Sequence, residues 1–311
     1  MKKYDVVIVG GGMAGITAAI WCSRLNVKHL LLESNDTLGG QLEQIHNQLI
    51  DYPGILVDNG KEFQKLLIEH VDSLQCNIKS NCIVKKVDSL HNLIHLSEEG
   101  VEEHIQFDYL IAAMGSTSRT LDIPGEQEMI FRGELYSTTS HKDQFTNKTV
   151  AIVGGGDRAF EGALNLANAG ANVILIHRSE NFRARSQYKD EVLKNKNIQL
   201  LTNTTVTEIL GEDSVHGIEV NQQGNKRRID VSAVIPRIGT VPNTSLIQDL
   251  VYLEEGGQVA INQYCQTNLP TIFAIGDICN PPEYSSLSTS AAQGMIAAKR
   301  ISELLHKSKI T

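Results

Sequence analysis

Two stretches of the chain repeat one arrangement of apolar and polar positions. Residues 5–15 read Asp-Val-Val-Ile-Val-Gly-Gly-Gly-Met-Ala-Gly, and residues 149–159 read Thr-Val-Ala-Ile-Val-Gly-Gly-Gly-Asp-Arg-Ala. Each is a β-branched apolar run, a glycine turn and then a helical pattern, which predicts strand, tight turn and helix. Behind each copy a second apolar run predicts a second strand, His29–Glu33 and Val173–Arg178. Further strands are predicted over 107–115, ending in small residues, and over 271–277, ending in Gly-Asp. The stretch around His91 and His95 reads as a β-hairpin with polar turns, so their helix-like spacing does not suggest a metal site. Strands alternating with helices, twice over, place the chain in the α/β class.

Composition narrows the picture without redirecting it. The 311 residues suffice for two domains, and 41% hydrophobic with 21% charged residues excludes a disordered or collagen-like chain. Lys plus Arg number 28 against 36 Asp plus Glu, a net charge of −8 with no basic stripe, so no nucleic-acid partner is expected. No apolar run approaches the roughly 18 residues of a membrane helix, and Met1-Lys2-Lys3-Tyr4 runs straight into a strand, unlike a signal peptide. The five cysteines (Cys22, Cys76, Cys82, Cys265, Cys279) are odd in number and form no CxxC. Neither a disulfide scaffold nor a zinc site is therefore expected, and the expected compartment is a reducing cytoplasm. Cys22 is expected in the core, Cys265 on a surface-like segment and Cys279 as a buried, inert thiol.

The chemistry sits in the repeat. Gly10, Gly12 and Gly15 satisfy GxGxxG, and 144 positions later Gly154, Gly156 and Ala159 satisfy GxGxxA. Such glycines let the backbone approach a pyrophosphate while the helix N-terminus offers free N–H groups. Gly10, Gly12, Met13, Ala14 and Gly15 are thus candidate contacts in the first copy. Gly154, Gly155, Gly156, Asp157, Arg158 and Ala159 are their counterparts in the second. Arg158 either meets the pyrophosphate or pairs with Glu161 one turn on. Glu33 lies 23 positions after Gly10, where an acid holds ribose hydroxyls; His177 lies 23 after Gly154, followed by Arg178, Arg183 and Arg185. Base in place of acid suits a 2′-phosphate, the alternative being a solvated charge run at a strand end. One site therefore suits FAD or NAD and the other NADPH. Asp277, placed to hold ribityl hydroxyls, assigns the first to a flavin.

With these motifs the chain resembles the low-molecular-weight thioredoxin reductases from residue 4 to about 305. The resemblance also rests on Leu38-Gly39-Gly40-Gln41-Leu42, Asp51-Tyr52-Pro53-Gly54, Ile123-Pro124-Gly125-Glu126, His177-Arg178…Phe182-Arg183-Ala184 and Ile238-Gly239…Pro242-Asn243-Thr244. It implies two interleaved Rossmann-like dinucleotide-binding domains of the three-layer ββα type. The FAD domain would be 1–116 with 243–311, and an NAD(P)H domain, 117–242, would be inserted. Hinges would lie near Gly115-Ser116 and Gly239-Thr240, and the protein would be a homodimer using FAD and NADPH. Gly39, Gly40, Gln41, Leu42, Met114, Gly115, Gly276 and Asp277 would contact the flavin, joined by Ser286, Leu287 and Ser288 at the start of the last helix. Ile238 and Gly239 would border the nicotinamide nucleotide. Asp51 replaces the family's Asn, which leaves its flavin contact open, and Ile83 either passes the adenine or belongs to the core.

The departures from the family carry the functional expectation. Its reactive Tyr-Cys-x-x-Cys reads here Tyr136-Ser137-Thr138-Thr139-Ser140, and serine cannot store two electrons as a disulfide. An Arg-Gln pair that helps hold the flavin reads Ser285-Ser286. The expected activity is an FAD-dependent NAD(P)H oxidoreductase without an internal dithiol, with no catalytic side chain assigned. It would pass electrons from NADPH through FAD to an external acceptor: a small disulfide, a quinone, oxygen, or a ferredoxin or flavodoxin. The alternative is a flavin-binding sensor or interaction protein that has lost turnover. Related ferredoxin–NADP reductases carry a C-terminal extension, whereas this chain stops at Thr311. Bacillithiol-disulfide reductases are expected to place a cysteine where Met13-Ala14 stands.

Overall fold

The computed structural model describes residues 2–45, 48–98 and 101–308. The chain divides into two compact units, Met1–Thr117 with Val241–Thr311, and Ser118–Thr240. In chain order the first segment carries β1 (Lys2–Val9), α1 (Met13–Arg24), β2 (His29–Leu32), α2 (Gly60–Ser73), β3 (Ile78–Lys79), β4 (Ile83–Asp88), β5 (Leu93–Glu98), β6 (Val101–Ala112) and β7 (Ser116–Ser118). Then come α3 (Glu126–Phe131), β8 (Thr149–Val153), α4 (Asp157–Asn168), β9 (Asn172–Ile176), α5 (Ser186–Lys194), β10 (Ile198–Leu201), β11 (Thr204–Leu210), β12 (Gly217–Gln222), β13 (Asn225–Ile229) and β14 (Ala233–Pro236). The chain closes with β15 (Thr240–Pro242), β16 (Ile272–Ala274) and α6 (Leu287–Ser308).

The first unit is built on a sheet of order β3-β2-β1-β6-β5-β4. The β1, β2 and β3 pairings and the β1–β6 pairing are parallel, and β4, β5 and β6 form an antiparallel meander. The long strand β6 pairs with β1 on one edge; on the other it pairs first with β5 and then with β16. The second half of β1, Val6–Val9, is an unbroken apolar run because both its faces are buried. Val6 and Ile8 join Phe63 of α2 and Ala297, Ala298 and Ile301 of α6 on the helical face. Val7 and Val9 join Ile94, Leu96, Phe107 and Ile247 on the other.

The second unit repeats the plan. Its parallel sheet has the order β10-β9-β8-β14. Val150 and Ile152 pack with Phe160, Ala163 and Leu166 of α4, while Ala151 and Val153 pack with Val206, Ile209, Ile218 and Val220 of the β11–β12–β13 meander. Both units are therefore three-layered and Rossmann-like, with helices, a parallel sheet and antiparallel strands. Each sheet has a point where the strand order reverses, between β1 and β6 and between β8 and β14. Ligands of such sheets bind outside the strand C-termini at that point. The residues around His91 and His95 do form a hairpin, with the His95 and His104 rings edge-to-face at 4.5 Å and His91 bound to Asp88.

Buried His29 opens β2 with Nδ1 3.1 Å from the Val27 carbonyl, and burial lowers its pKa. Its folded pKa lies below the unfolded value of about 6.5, so the unfolded chain takes up the proton more readily and stability falls as pH drops. A His29→Leu variant should lose part of the stability slope between about pH 7 and pH 5, read by denaturant unfolding at several pH values. An unchanged slope would show that His29 is not the titrating group.

Candidate functional site

The two glycine loops have the same construction. Gly10 N–H donates to the Leu32 carbonyl (2.9 Å) and Gly154 N–H to that of Ile176 (3.0 Å), each tying the loop to the second strand. The neighbouring strand closes in from the other side: Ala113 N–H donates to Val9 O (2.8 Å), and Arg237 N–H to Val153 O (2.7 Å). Gly10 and Gly154 have φ of +106° and +157°. A Cβ there would lie 2.4 Å from the Ala113 carbonyl oxygen and 2.3 Å from that of Arg237. Only glycine combines that conformation with that approach. Gly12 and Gly156 cap α1 and α4, and a Cβ on either would meet nothing within 4 Å. Each loop is thus closed behind and open in front, as a diphosphate cradle at a helix N-terminus must be.

In the first unit Glu33 lies directly behind the loop. Its Oε2 accepts the Gly11 N–H at 2.6 Å, and its Oε1 accepts the Asn35 N–H (2.8 Å) and the Ser34 hydroxyl (3.0 Å). This leaves acceptor capacity on Oε2, which suits a ribose hydroxyl. Segment 39–42 folds onto the same loop: Gly39 N–H donates to Gly11 O at 2.8 Å, Gly12 and Gly39 form a bridge, and Leu42 is buried. The Gln41 amide then reaches Ser116 O (3.0 Å), Ser116 Oγ (3.4 Å) and Asp277 Oδ2 (3.2 Å), and Ser116 Oγ donates to Asp277 Oδ2 at 3.4 Å. Residues 75 and 236 positions from Gln41 thus form one polar cluster. Met114 and Gly115 border it, both carbonyls engaged by Asn243.

Sequence reasoning missed Ser116 and Gln293. Gln293 Oε1 accepts the Gly276 N–H at 2.7 Å and so sets the Asp277 turn. Neither residue belongs to a motif with a spacing rule, and only the fold brings them in. Ser286 Oγ accepts the Thr289 N–H (3.0 Å), which makes it the cap of α6 ahead of Leu287 and Ser288. Ile83 is not a core residue: it is 49% exposed at the start of β4, beside Cys82, whose N–H donates to Glu33 O. Asp51 lies on an exposed turn with no hydrogen bond to the cluster.

In the second unit His177 takes the place of Glu33, its ring lying against Gly155 and its Nε2 3.2 Å from Asn181 O. Burial first, and then the charges of Arg178 and Arg183, lower its pKa against the opposing Asn181 contact, a balance that favours the neutral ring. The Arg183 and Ala184 N–H groups both donate to Gly155 O, clasping the arginine segment to the loop. Arg185 is tied to Asp157 (2.8 Å), so neither charge is free, whereas Arg178 and Arg183 make no ion pair among the described residues. The pairing of Arg158 with Glu161 does not form; the Arg158 side chain, exposed in the first turn of α4, makes no ion pair or hydrogen bond among the described residues. Ile238 packs on the meander-side core, and Gly239 has φ of +100°.

Ser137 holds a local turn. Its Oγ accepts the N–H groups of Thr139 (3.2 Å) and Ser140 (3.3 Å), and its own N–H donates to His141 Nδ1 at 3.0 Å. Residues 118–240 contain no cysteine. Cys22 and Cys265 are buried, and burial pushes both thiols up to about 12. Cys265 was expected on the surface; its backbone turns inward to pair with Ala274, which leaves it 3% exposed. Cys279 is buried too, its thiol donating to Gly276 O at 3.2 Å and its pKa raised chiefly by burial. No group of three or more His, Cys, Asp or Glu side chains suited to a metal occurs among the described residues.

The model of the pyridine nucleotide-disulphide oxidoreductases matches residues 4–295. The chain belongs to that family. It is an FAD-dependent oxidoreductase, and its two glycine-loop units answer to the family's cofactor pair, FAD and NAD(P)H. Thioredoxin reductase from Lactococcus lactis superposes with a TM-score of 0.81 at 28% identity, over 98% of this chain and 99% of that one. The enzyme from T. acidophilum does so at 0.79 and 25%, over 97% and 99%. A "34.2 kDa protein in rubredoxin operon" of Clostridium pasteurianum is 29% identical over 96% of both chains. One component of the alkyl hydroperoxide reductase of Staphylococcus aureus is 30% identical over 89% of this chain, which spans 54% of that protein.

The two kinds of loop glycine should respond differently to alanine. Gly10→Ala drives a Cβ into a backbone carbonyl and should cost about 1–3 kcal/mol. Gly12→Ala points into open space and should cost less than about 1 kcal/mol, mostly as a poorer cap, while releasing FAD more readily. Thermal unfolding and flavin absorbance after dialysis read the two effects separately; equal destabilisation by both would contradict this construction.

Proposed function

We propose that this chain is an NADPH-dependent member of the family that delivers electrons from FAD directly to an external acceptor, with no protein dithiol between them. The observation that carries this reading is the Ser137 turn. Its hydroxyl is engaged as a hydrogen-bond acceptor for Thr139 and Ser140, and the unit that contains it has no cysteine. The remaining thiols are a poor substitute: Cys279 is buried with its proton held on.

The first unit carries the flavin in this reading, and the second the nicotinamide dinucleotide. FAD, when bound, supplies hydride acceptance and onward electron transfer. What the chain supplies is orientation. Glu33 takes the adenosine ribose, the open fronts of Gly12 and the α1 N-terminus take the diphosphate, and the Gln41–Ser116–Asp277 cluster takes the polar chain leading to the ring. The capped N-terminus of α6, at Ser286–Ser288, points its N–H groups where negative charge on the ring would be stabilised. In the second unit the unpaired Arg178 and Arg183 take the 2′-phosphate. The acceptor is a small molecule or small carrier able to reach the flavin edge; a relative described by its place in a rubredoxin operon is in keeping with a carrier.

Two measurements test this. Replacing Arg178 and Arg183 together by Ala should erode the preference for NADPH over NADH by about 1–3 kcal/mol. Stopped-flow flavin bleaching reads that preference, and equal affinity for both nucleotides in the wild type would overturn the assignment. The wild type and Cys279→Ala should both fail to sustain NADPH-dependent thioredoxin reduction, although the flavin still bleaches and reoxidises in air. Turnover by either would show that a dithiol route exists; gain of turnover only in Ser137→Cys/Ser140→Cys would show an intact scaffold lacking its relay.

A further inference from the structure

The structural repeat singles out one residue that no motif marks. Ala113 and Arg237 are counterparts: each follows the strand beyond the switch point, donates its N–H to the end of the glycine-loop strand and sets its carbonyl against the first loop glycine. At the flavin loop that position is a methyl group; at the other it is a guanidinium. Arg237 Nη1 donates to Pro236 O (3.0 Å) and Nη2 to Tyr136 O (3.3 Å), which leaves most of its N–H donors uncommitted. It is half-buried and has no carboxylate partner among the described residues. Across the crevice Arg158 stands in the first turn of α4, exposed and also without an ion pair. Burial first, and the like charge of Arg158 second, lower the pKa of Arg237.

Two neighbouring cations, one of them partly withdrawn from water, are an unfavourable arrangement unless an anion joins them. The crevice they flank is the switch point of a parallel sheet, above an open glycine cradle, where a diphosphate belongs. We propose that Arg158 and Arg237 form a guanidinium clamp on the diphosphate of the dinucleotide bound by the second unit. This rests on reading that unit as the nicotinamide dinucleotide unit, and adds that its affinity is set in two separable places. The clamp grips what NADPH and NADH share, and Arg178 with Arg183 grip the 2′-phosphate that only NADPH has. The forked donors of Arg237 suit two oxygens of one diphosphate.

The test uses flavin-loaded protein and calorimetric titration with two fragments: ADP-ribose, which has the diphosphate and no 2′-phosphate, and 2′-AMP, which has the reverse. Arg158→Ala and Arg237→Met should each weaken ADP-ribose about tenfold and leave 2′-AMP unchanged, with NADPH and NADH weakened by the same factor. Arg178→Ala should do the opposite. Arg158 is exposed, so its variant should fold normally; should Arg237→Met melt early, Arg158→Ala and Arg237→Lys decide. Unchanged ADP-ribose affinity in variants of a wild type that binds it would overturn the clamp. So would equal weakening of both fragments, which marks a general charge effect. A wild type that binds neither fragment nor NADPH would instead sink the underlying reading of the unit, and the clamp with it.

Discussion

Each half of this molecule depends on one steric constraint: the backbone of a glycine pressed against the carbonyl of a neighbouring strand. At Gly10 and Gly154 the gap admits no Cβ. That contact fixes where the loop leaves its strand, and hence where the N-terminus of α1 or α4 points. The rest of each site is arranged around that origin. The second strand delivers Glu33 or His177 behind the loop, and the strand beyond the switch point delivers Ala113 or Arg237 beside it. A cofactor site of this kind is prepared chiefly by backbone, whose N–H groups and dipoles need no reorganisation when an anion arrives.

Onto one backbone plan the chain places two chemistries. Around the first loop the polar groups are acceptors and neutral donors: Glu33, Asp277, Gln41, Ser116. Around the second they are cations: Arg158, Arg178, Arg183 and Arg237, with Arg185 alone compensated by Asp157. An isoelectric point near 5.7 makes that local excess of positive charge the more telling, because it is not a consequence of overall basicity. The structural repeat therefore works as an internal comparison, in which equivalent positions of one backbone plan carry different charge.

The Ser137–Ser140 segment is held as a turn by the Ser137 hydroxyl. Ser137 caps its turn with two hydrogen bonds, and Thr138 packs against α4 at Gly162. Such capping is worth roughly 1 kcal/mol to the local fold, and a thiol would do it less well.

Much of this was legible in the sequence because it rests on local rules. The glycine spacing, the two β-branched runs, the 23-residue offsets to Glu33 and His177 and the Gly276-Asp277 strand end each follow from what a tight turn beside a diphosphate demands. The α/β class and the two Rossmann-like units follow from the same patterns. What only the tertiary structure decided are contacts between residues far apart in the chain. No spacing rule couples Gln41 to Ser116 and Asp277, or Gln293 to Gly276, because side chains from separate elements meet only once the sheet order is set. The burial of Cys265, the exposure of Ile83 and the lack of an ion pair for Arg158 among the described residues were likewise open, since burial depends on what packs above a residue. Arg237 is the sharpest case: in sequence it is one arginine after a proline, and only the pairing of β14 with β8 sets it beside a glycine loop more than eighty residues away.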